Sequence, residues 1–219
     1  MCGRFTLYTD PEAVGRQFGL APPDGLGARY NIAPSQSLLA VRQTRQGREF
    51  ARFRWGLVPF WAKSDKIGYR MINARAETVA AKPAFRAAYR HRRCLIPADG
   101  FYEWAPGPDG KQPYYIRMKD GEVFALAGLW ERWEGEGGVL ESCTLIVTQA
   151  NPLMAPIHDR MPVILHQDDY TRWLDTGHVD PEALAALLKP YPGRELVAFP
   201  VSTHVNSPKH DDASCIVAR

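Results

Sequence analysis

The sequence predicts an α+β fold: a mostly antiparallel, partly barrel-like β-sheet with a few short peripheral helices. Two observations carry this expectation. Short apolar or alternating runs recur from Phe5 to Val201 between Gly- and Pro-rich turns, and they outnumber the stretches with helical spacing. The chain has 219 residues, 45% of them hydrophobic and 23% charged, enough to bury one core without disulfide staples. A single domain over 1–219 is expected, and no internal repeat or low-complexity segment argues otherwise.

Taken in order, Arg4 to Leu7 reads as a strand and Asp10-Pro11-Glu12 as a helix start, with Asp10 as cap and Val14 and Phe18 as its apolar face before Gly19. A Pro/Gly loop over 21–27 leads through Arg29-Tyr30-Asn31-Ile32-Ala33-Pro34 into a buried strand at Leu38 to Val41. Phe50, Phe53 and Trp55 mark another extended segment, 62–70 a polar loop, and 77–90 a helix once past Pro83. Cys94 to Ile96 is a strand. Gly100 to Trp104 and Tyr114 to Ile116 then flank the turn Pro106-Gly107-Pro108-Asp109-Gly110 as a hairpin. Val123 to Leu126, Leu129-Trp130, Leu145 to Val147 and Val163 to Leu165 continue the strands, with Gly135 to Gly138 as a turn. Asp168 to Leu174 and Pro181 to Leu188 read as helices, and Val197 to Val201 as a late strand before a polar tail.

Charge and cysteine usage bound the function. A formal net charge of +3 and a pI near 8.7 are compatible with nucleic acid without demonstrating it. Cys2, Cys94, Cys143 and Cys215 are dispersed without CxxC spacing, which argues against a zinc site and for free thiols in a reducing, cytoplasmic compartment. No apolar run is long enough to cross a bilayer, and no signal sequence precedes Cys2. No membrane, metal or cofactor is expected.

Chemistry concentrates first at Met1-Cys2-Gly3-Arg4. A residue as small as cysteine after the initiator predicts removal of Met1, which leaves Cys2 with a thiol and a free α-amine of pKa about 7.7 to 8.0. Together they can trap an aldehyde: the amine forms an imine and the thiolate closes a thiazolidine ring. Position alone equally fits a small buried residue of a strand. Glu103 lies in Phe101-Tyr102-Glu103-Trp104, where aromatic surroundings would raise a carboxyl toward useful acid/base strength, although strict alternation would face it to water. His158, between Ile157 and Asp159-Arg160, is a proton shuttle or a structural imidazole, and Asn73 an amine-orienting amide or an ordinary loop residue.

Taken together, Met1 to Phe5, Tyr30 to Pro34, Arg54 to Pro59, Ile72 to Thr78, Ala98 to Trp104 and Ile157 to Pro162 resemble the SOS response-associated peptidase family. The resemblance runs in the right order from Cys2 to about Val205. It implies a protein that senses abasic sites in single-stranded DNA and shields them as a thiazolidine crosslink, with abasic-site lyase activity and autoproteolytic removal of Met1. By the same resemblance Cys2 is the nucleophile, Asn73 holds its α-amine, Glu103 is the acid/base, and His158 assists ring opening and reversal. Arg4, Arg75 and Arg160 match phosphate-holding positions, and Pro34, Trp61 and Thr148 positions along the DNA path. Trp104 joins this DNA-facing set. Where some members have a second aromatic after Trp61, this chain has Ala62, which puts one stacking surface in question.

The implied partner is abasic single-stranded DNA, met by a monomer that is nucleoid-associated when bound. Arginines on phosphates and aromatics on bases give binding with little sequence preference. Three other readings compete. A Met-Cys-Gly start also opens N-terminal-nucleophile glutaminases, but these feed a synthase for which this chain has no room. The others are a non-covalent single-strand DNA binder and a thiol protease using Cys2, His158 and Asn73.

Overall fold

A computed structural model describes residues 2–108, 110–177 and 180–219. Met1, whose removal is expected, and Asp109 of the predicted turn lie outside the described residues. The strands are β1 (Phe5–Leu7), β2 (Arg29–Ile32), β3 (Ser37–Thr44), β4 (Gly47–Trp55), β5 (Asn73–Arg75), β6 (Arg93–Ala98) and β7 (Gly100–Gly107). They continue as β8 (Gly110–Met118), β9 (Phe124–Gly135), β10 (Gly138–Gln149), β11 (Arg160–Pro162), β12 (Ile164–Leu165) and β13 (Leu196–Pro200). The helices α1 (Pro11–Phe18), α2 (Arg86–His91), α3 (Tyr170–Leu174) and α4 (Pro181–Leu187) are all short, as the sequence suggests.

Two sheets organise the molecule. In one, β10, β4, β3, β6 and β9 pair in sequence, and β9 pairs back onto β10, closing a ring. The closing contact between β4 and β10 is parallel, Ser142 opposite Arg54 and Cys143 opposite Trp55, while the rest of the ring is antiparallel. Tight closure needs a residue without a side chain at Gly128, where a Cβ would stand 2.8 Å from the Cys94 sulfur. The main core cluster, including Phe53, Trp55, Leu95, Leu126 and Ile146, is built largely on this ring. The second sheet is open, in the order β13, β8, β7, β1, β2, and it includes β1, the first strand after Cys2.

Local sequence explains most element ends. Asp10 accepts the Glu12 N–H and Gly19 ends α1 with φ 66°, a left-handed conformation that glycine adopts without a Cβ penalty. Asp180 caps α4 in the same way, accepting from Glu182 and Ala183. The helix expected over 77–90 is shorter than predicted. Turns occupy the stretch before Pro83, which lacks an N–H to donate, and only Arg86–His91 is helical. The strand at Arg29–Ile32, too short for its alternation of Arg, Tyr, Asn and Ile to stand out in the sequence, pairs antiparallel with β1.

Candidate active site

The site lies where the open sheet meets the ring-bearing one: Cys2 and Glu103 come from the open sheet's side, Asn73 and His158 from β5 and from the segment just before β11, both of which pair with β10. Cys2 is fully buried one residue ahead of Gly3-Arg4 and β1. Asn73, the first residue of β5, donates from Nδ2 to the Cys2 carbonyl at 2.9 Å. Its position is set by β5 pairing parallel to β10, Asn73 opposite Leu145. The Asn73 Oδ1 is buried and has no hydrogen-bond partner among the described residues. An amide whose donor end grips the Cys2 backbone thus keeps an acceptor available to a neighbouring N–H.

Glu103 is only 2% exposed, so it is not the water-facing strand residue that alternation alone would make it. On the opposite face of β7, Tyr102 is fully buried and Trp104 half-buried: the C-terminal segment covers that face, with Trp104 Nε1 donating to Asn206 Oδ1 at 2.8 Å, and β2 adds the Tyr30 carbonyl, which accepts from Tyr102 Oη at 2.7 Å. Loss of hydration raises the Glu103 carboxyl to about 7, where acid and base forms coexist near neutrality. Burial, and then the Glu103 charge, push the Cys2 thiol well above its ordinary value. The thiol is therefore neutral at rest and needs a base as it attacks.

His158 stands across the same cleft. Its Nδ1 accepts the Arg160 backbone N–H at 3.0 Å and lies 2.8 Å from Asp159 Oδ1. One nitrogen of a neutral ring cannot be acceptor to the first and donor to the second. Burial lowers the His158 pKa and Lys111 adds to the lowering, while the pull of Asp159 is weakened by solvent because that side chain is 84% exposed. The ring is accordingly neutral, with Nδ1 on the Arg160 amide and the proton on Nε2. The cleft, of about 430 Å³, is lined by Glu103, Trp104, Lys111, His158 and Asn206. A larger depression of about 620 Å³ lies elsewhere, between residues 62–65 and the β9–β10 turn, and holds none of these groups.

The remaining residues singled out from sequence fall into different situations. Arg4 donates to Asn31 Oδ1 at 2.9 Å and to the carbonyls of Val205 at 2.9 Å and Asn206 at 3.2 Å. It fastens the C-terminal segment beside the cleft and retains N–H groups for an anion. Arg160 pairs with Glu77, and Arg75 at the end of β5 is exposed. Trp61 is 50% exposed and Pro34 half-buried. Thr148 is buried with its hydroxyl on the Leu188 carbonyl at 3.1 Å, so its side chain faces inward and only its backbone borders β11. Phe60, beside Trp61, is 58% exposed and supplies an aromatic on the opposite side from Ala62 in sequence.

Lys111 and Asn206 line the cleft without having been singled out. Neither has a local signal: Lys111 lies in a hairpin arm and Asn206 in a polar tail, and each reaches the site only through tertiary pairing.

Fold and site together define a closed β-barrel with an appended sheet, a cleft lined by a buried carboxyl and a neutral imidazole, and a fully buried second-position cysteine close enough to that carboxyl for its charge to act on the thiol. The profile of the SOS response associated peptidase (SRAP) family matches residues 1–208, and the chain belongs to that family. It is 45% identical to the abasic site processing protein YoqW of Bacillus subtilis, over 99% of both chains. It is 34% identical to the abasic site processing protein HMCES of Xenopus tropicalis, over 100% of this chain and 78% of the other. A crystal structure of a protein from Bacteroides thetaiotaomicron superposes over 100% of both chains with a TM-score of 0.90 at 28% identity. One from Bordetella bronchiseptica gives 0.80 over 92% of this chain and 100% of the other, also at 28%.

Proposed function

We propose that this protein processes abasic sites in DNA, and that it does so by capturing them in single strands as a thiazolidine crosslink through Cys2 once Met1 is removed. The single observation that carries this reading is the convergence of Cys2, the Asn73 amide and a Glu103 carboxyl raised to about 7 by burial. Membership of a family whose relatives are named abasic site processing proteins supports the same conclusion.

The chemistry runs in balanced steps. An abasic sugar is mostly a closed hemiacetal. Protonated Glu103 gives a proton to the ring oxygen as the C1′–O4′ bond breaks, and the C1′ hydroxyl loses its proton to leave the aldehyde. The Cys2 amine, oriented by the Asn73 acceptor, adds to C1′, and the carbinolamine expels water to give the imine. The Cys2 sulfur then attacks C1′ of the protonated imine while the Glu103 carboxylate takes the thiol proton, and the C=N electron pair returns to nitrogen to leave the ring amine. The net change is one C–N bond and one C–S bond formed with loss of one water. His158, neutral with its proton on Nε2, serves the reverse path by giving that proton to the sulfur as the C1′–S bond breaks; when the imine instead expels the 3′ phosphate, the Glu103 carboxylate takes the C2′ proton. Autoproteolytic release of Met1 uses the same thiol against its own preceding carbonyl.

Selectivity follows from space. A pocket that reaches C1′ is blocked by the base of an intact nucleotide, and a missing base costs nothing to flip. Arg4, Arg75 and Arg160 hold phosphates, while Trp61, Trp104 and Pro34 offer surfaces to flanking bases. Intact mass spectrometry after mixing with an abasic oligonucleotide tests the reading. The expected product has the mass of the chain without Met1 plus the DNA minus one water, and it is absent with undamaged strand. A product that forms at the same rate with Cys2→Ala would overturn it.

A further inference from the structure

The last strand is followed by two 3-10 turns, Thr203–Asn206 and Ala213–Ile216, which fold against each other. They bring together one ligand atom each from His204, Asp212 and Cys215, all within 4.8 Å of one another. We propose that these three side chains form a binding site for a divalent cation of the zinc class, and that the ion fastens the C-terminal segment.

The donor set is the first reason. One imidazole nitrogen, one carboxylate oxygen and one thiolate suit a borderline-soft ion that accepts four ligands, whereas magnesium and calcium need oxygen-rich cages. Distance is the second. Zinc bonds of about 2.0 to 2.3 Å place tetrahedral ligand atoms about 3.3 to 3.8 Å apart. His204 Nε2 and Asp212 Oδ2 are already 3.2 Å apart, and the edges to the Cys215 sulfur, no longer than 4.8 Å, are those that binding would draw in.

Orientation is the third reason, because each ligand is held by a second contact. Asp212 Oδ1 accepts the Ser214 N–H at 2.9 Å and its hydroxyl at 2.5 Å, which turns Oδ2 toward His204. The His210 ring stacks on His204 with centroids 3.8 Å apart and 4° between planes, and His210 Nδ1 lies 2.7 Å from the His204 carbonyl. Such partners fix the ring that must present Nε2. Cys215 is buried, with its thiol on the His210 carbonyl at 3.6 Å. Binding exchanges that thiol proton for the ion and releases one proton to solvent. The fourth position is left to water on the exposed Asp212 side.

Occupancy would matter beyond the tail, since the first turn also supplies the Val205 and Asn206 carbonyls to Arg4 and the Asn206 amide to Trp104. A pinned turn makes a firmer wall for the cleft.

Cobalt(II) is the probe, titrated anaerobically into metal-free full-length protein carrying Cys2→Ala, because an N-terminal aminothiol would itself chelate the ion. The expected result is one cobalt per chain with a sulfur-to-cobalt charge-transfer band and tetrahedral d–d bands, displaced by zinc, together with a melting temperature that rises with free zinc. Cys215→Ser should remove the charge-transfer band. The exposed Asp212→Asn, which does not threaten the fold, should weaken cobalt binding by at least about tenfold. Absence of the band, its survival in Cys215→Ser, or parental affinity in Asp212→Asn would each overturn the proposal.

Discussion

The closed ring and the open sheet beside it spend their buried residues on opposite ends. In the ring, Phe53 is fully buried and stacks on Trp130 with centroids 5.4 Å apart, and a fully buried Trp55 meets Phe5 edge to face. Such contacts favour the folded state and do no chemistry. In the open sheet, Glu103 is nearly as buried, yet its burial opposes ionisation and so opposes folding at neutral pH. The ring tolerates the cost of the site. The comparison predicts that ring substitutions lower stability and spare reactivity, while site substitutions remove reactivity and spare or raise stability.

The largest effect is expected at Cys2. Cys2→Ala should abolish crosslinking while shifting stability by less than about 1 kcal/mol, since alanine nearly fills the same buried space. An extension ahead of Cys2 should do the same, because an acylated amine cannot form an imine. Crosslinking assays with paired thermal melts check both.

Glu103→Gln should slow crosslink formation by about 10² to 10⁴. It should also be more stable than the parent in alkaline solution. The folded carboxyl titrates near 7 against an ordinary 4.5, so the folded chain binds more protons between those values and parental stability falls as pH rises through that window. Above it, the glutamine variant should gain up to about 3 kcal/mol, and the gain should vanish below about pH 4. Urea melts across pH decide this. A variant that is less stable at every pH would break the contrast between ring and site.

Phe53→Ala should cost about 3 to 5 kcal/mol by leaving a cavity in the ring, yet the folded fraction should crosslink at the parental rate. Denaturant melts and a rate normalised to folded protein test it. His158→Gln should still form the crosslink but release it at least about tenfold more slowly, measured by a chase with excess abasic strand. The smallest effect is expected at exposed Arg75. Arg75→Ala should weaken binding of undamaged single strand a few-fold and reduce the salt slope by about 1.

Much of this protein was legible in the sequence. Period-2 runs located most strands, the Asp10 and Asp180 caps located two helix starts, and the glycine-bearing turns joined the hairpins β7–β8 and β9–β10. The second-position cysteine could be singled out from sequence because an N-terminal aminothiol, expected once Met1 is removed, is a local property. Helix length over 77–90 was not legible, since apolar spacing there does not reveal that turns use the backbone donors first.

What only the tertiary structure decided is which polar residues lose water and which meet. Alternation along β7 left Glu103 free to face solvent, whereas the fold buries it beside Cys2 and Asp159 and covers the opposite face, with Tyr102 and Trp104, by a C-terminal segment anchored through Trp104 to Asn206. Likewise His204, Asp212 and Cys215 show no metal-like spacing, yet two turns fold them into one triangle. Local sequence fixes backbone preference because that depends on near neighbours. Hydration and charge proximity depend on whatever the chain brings back from afar, and so they belong to the fold.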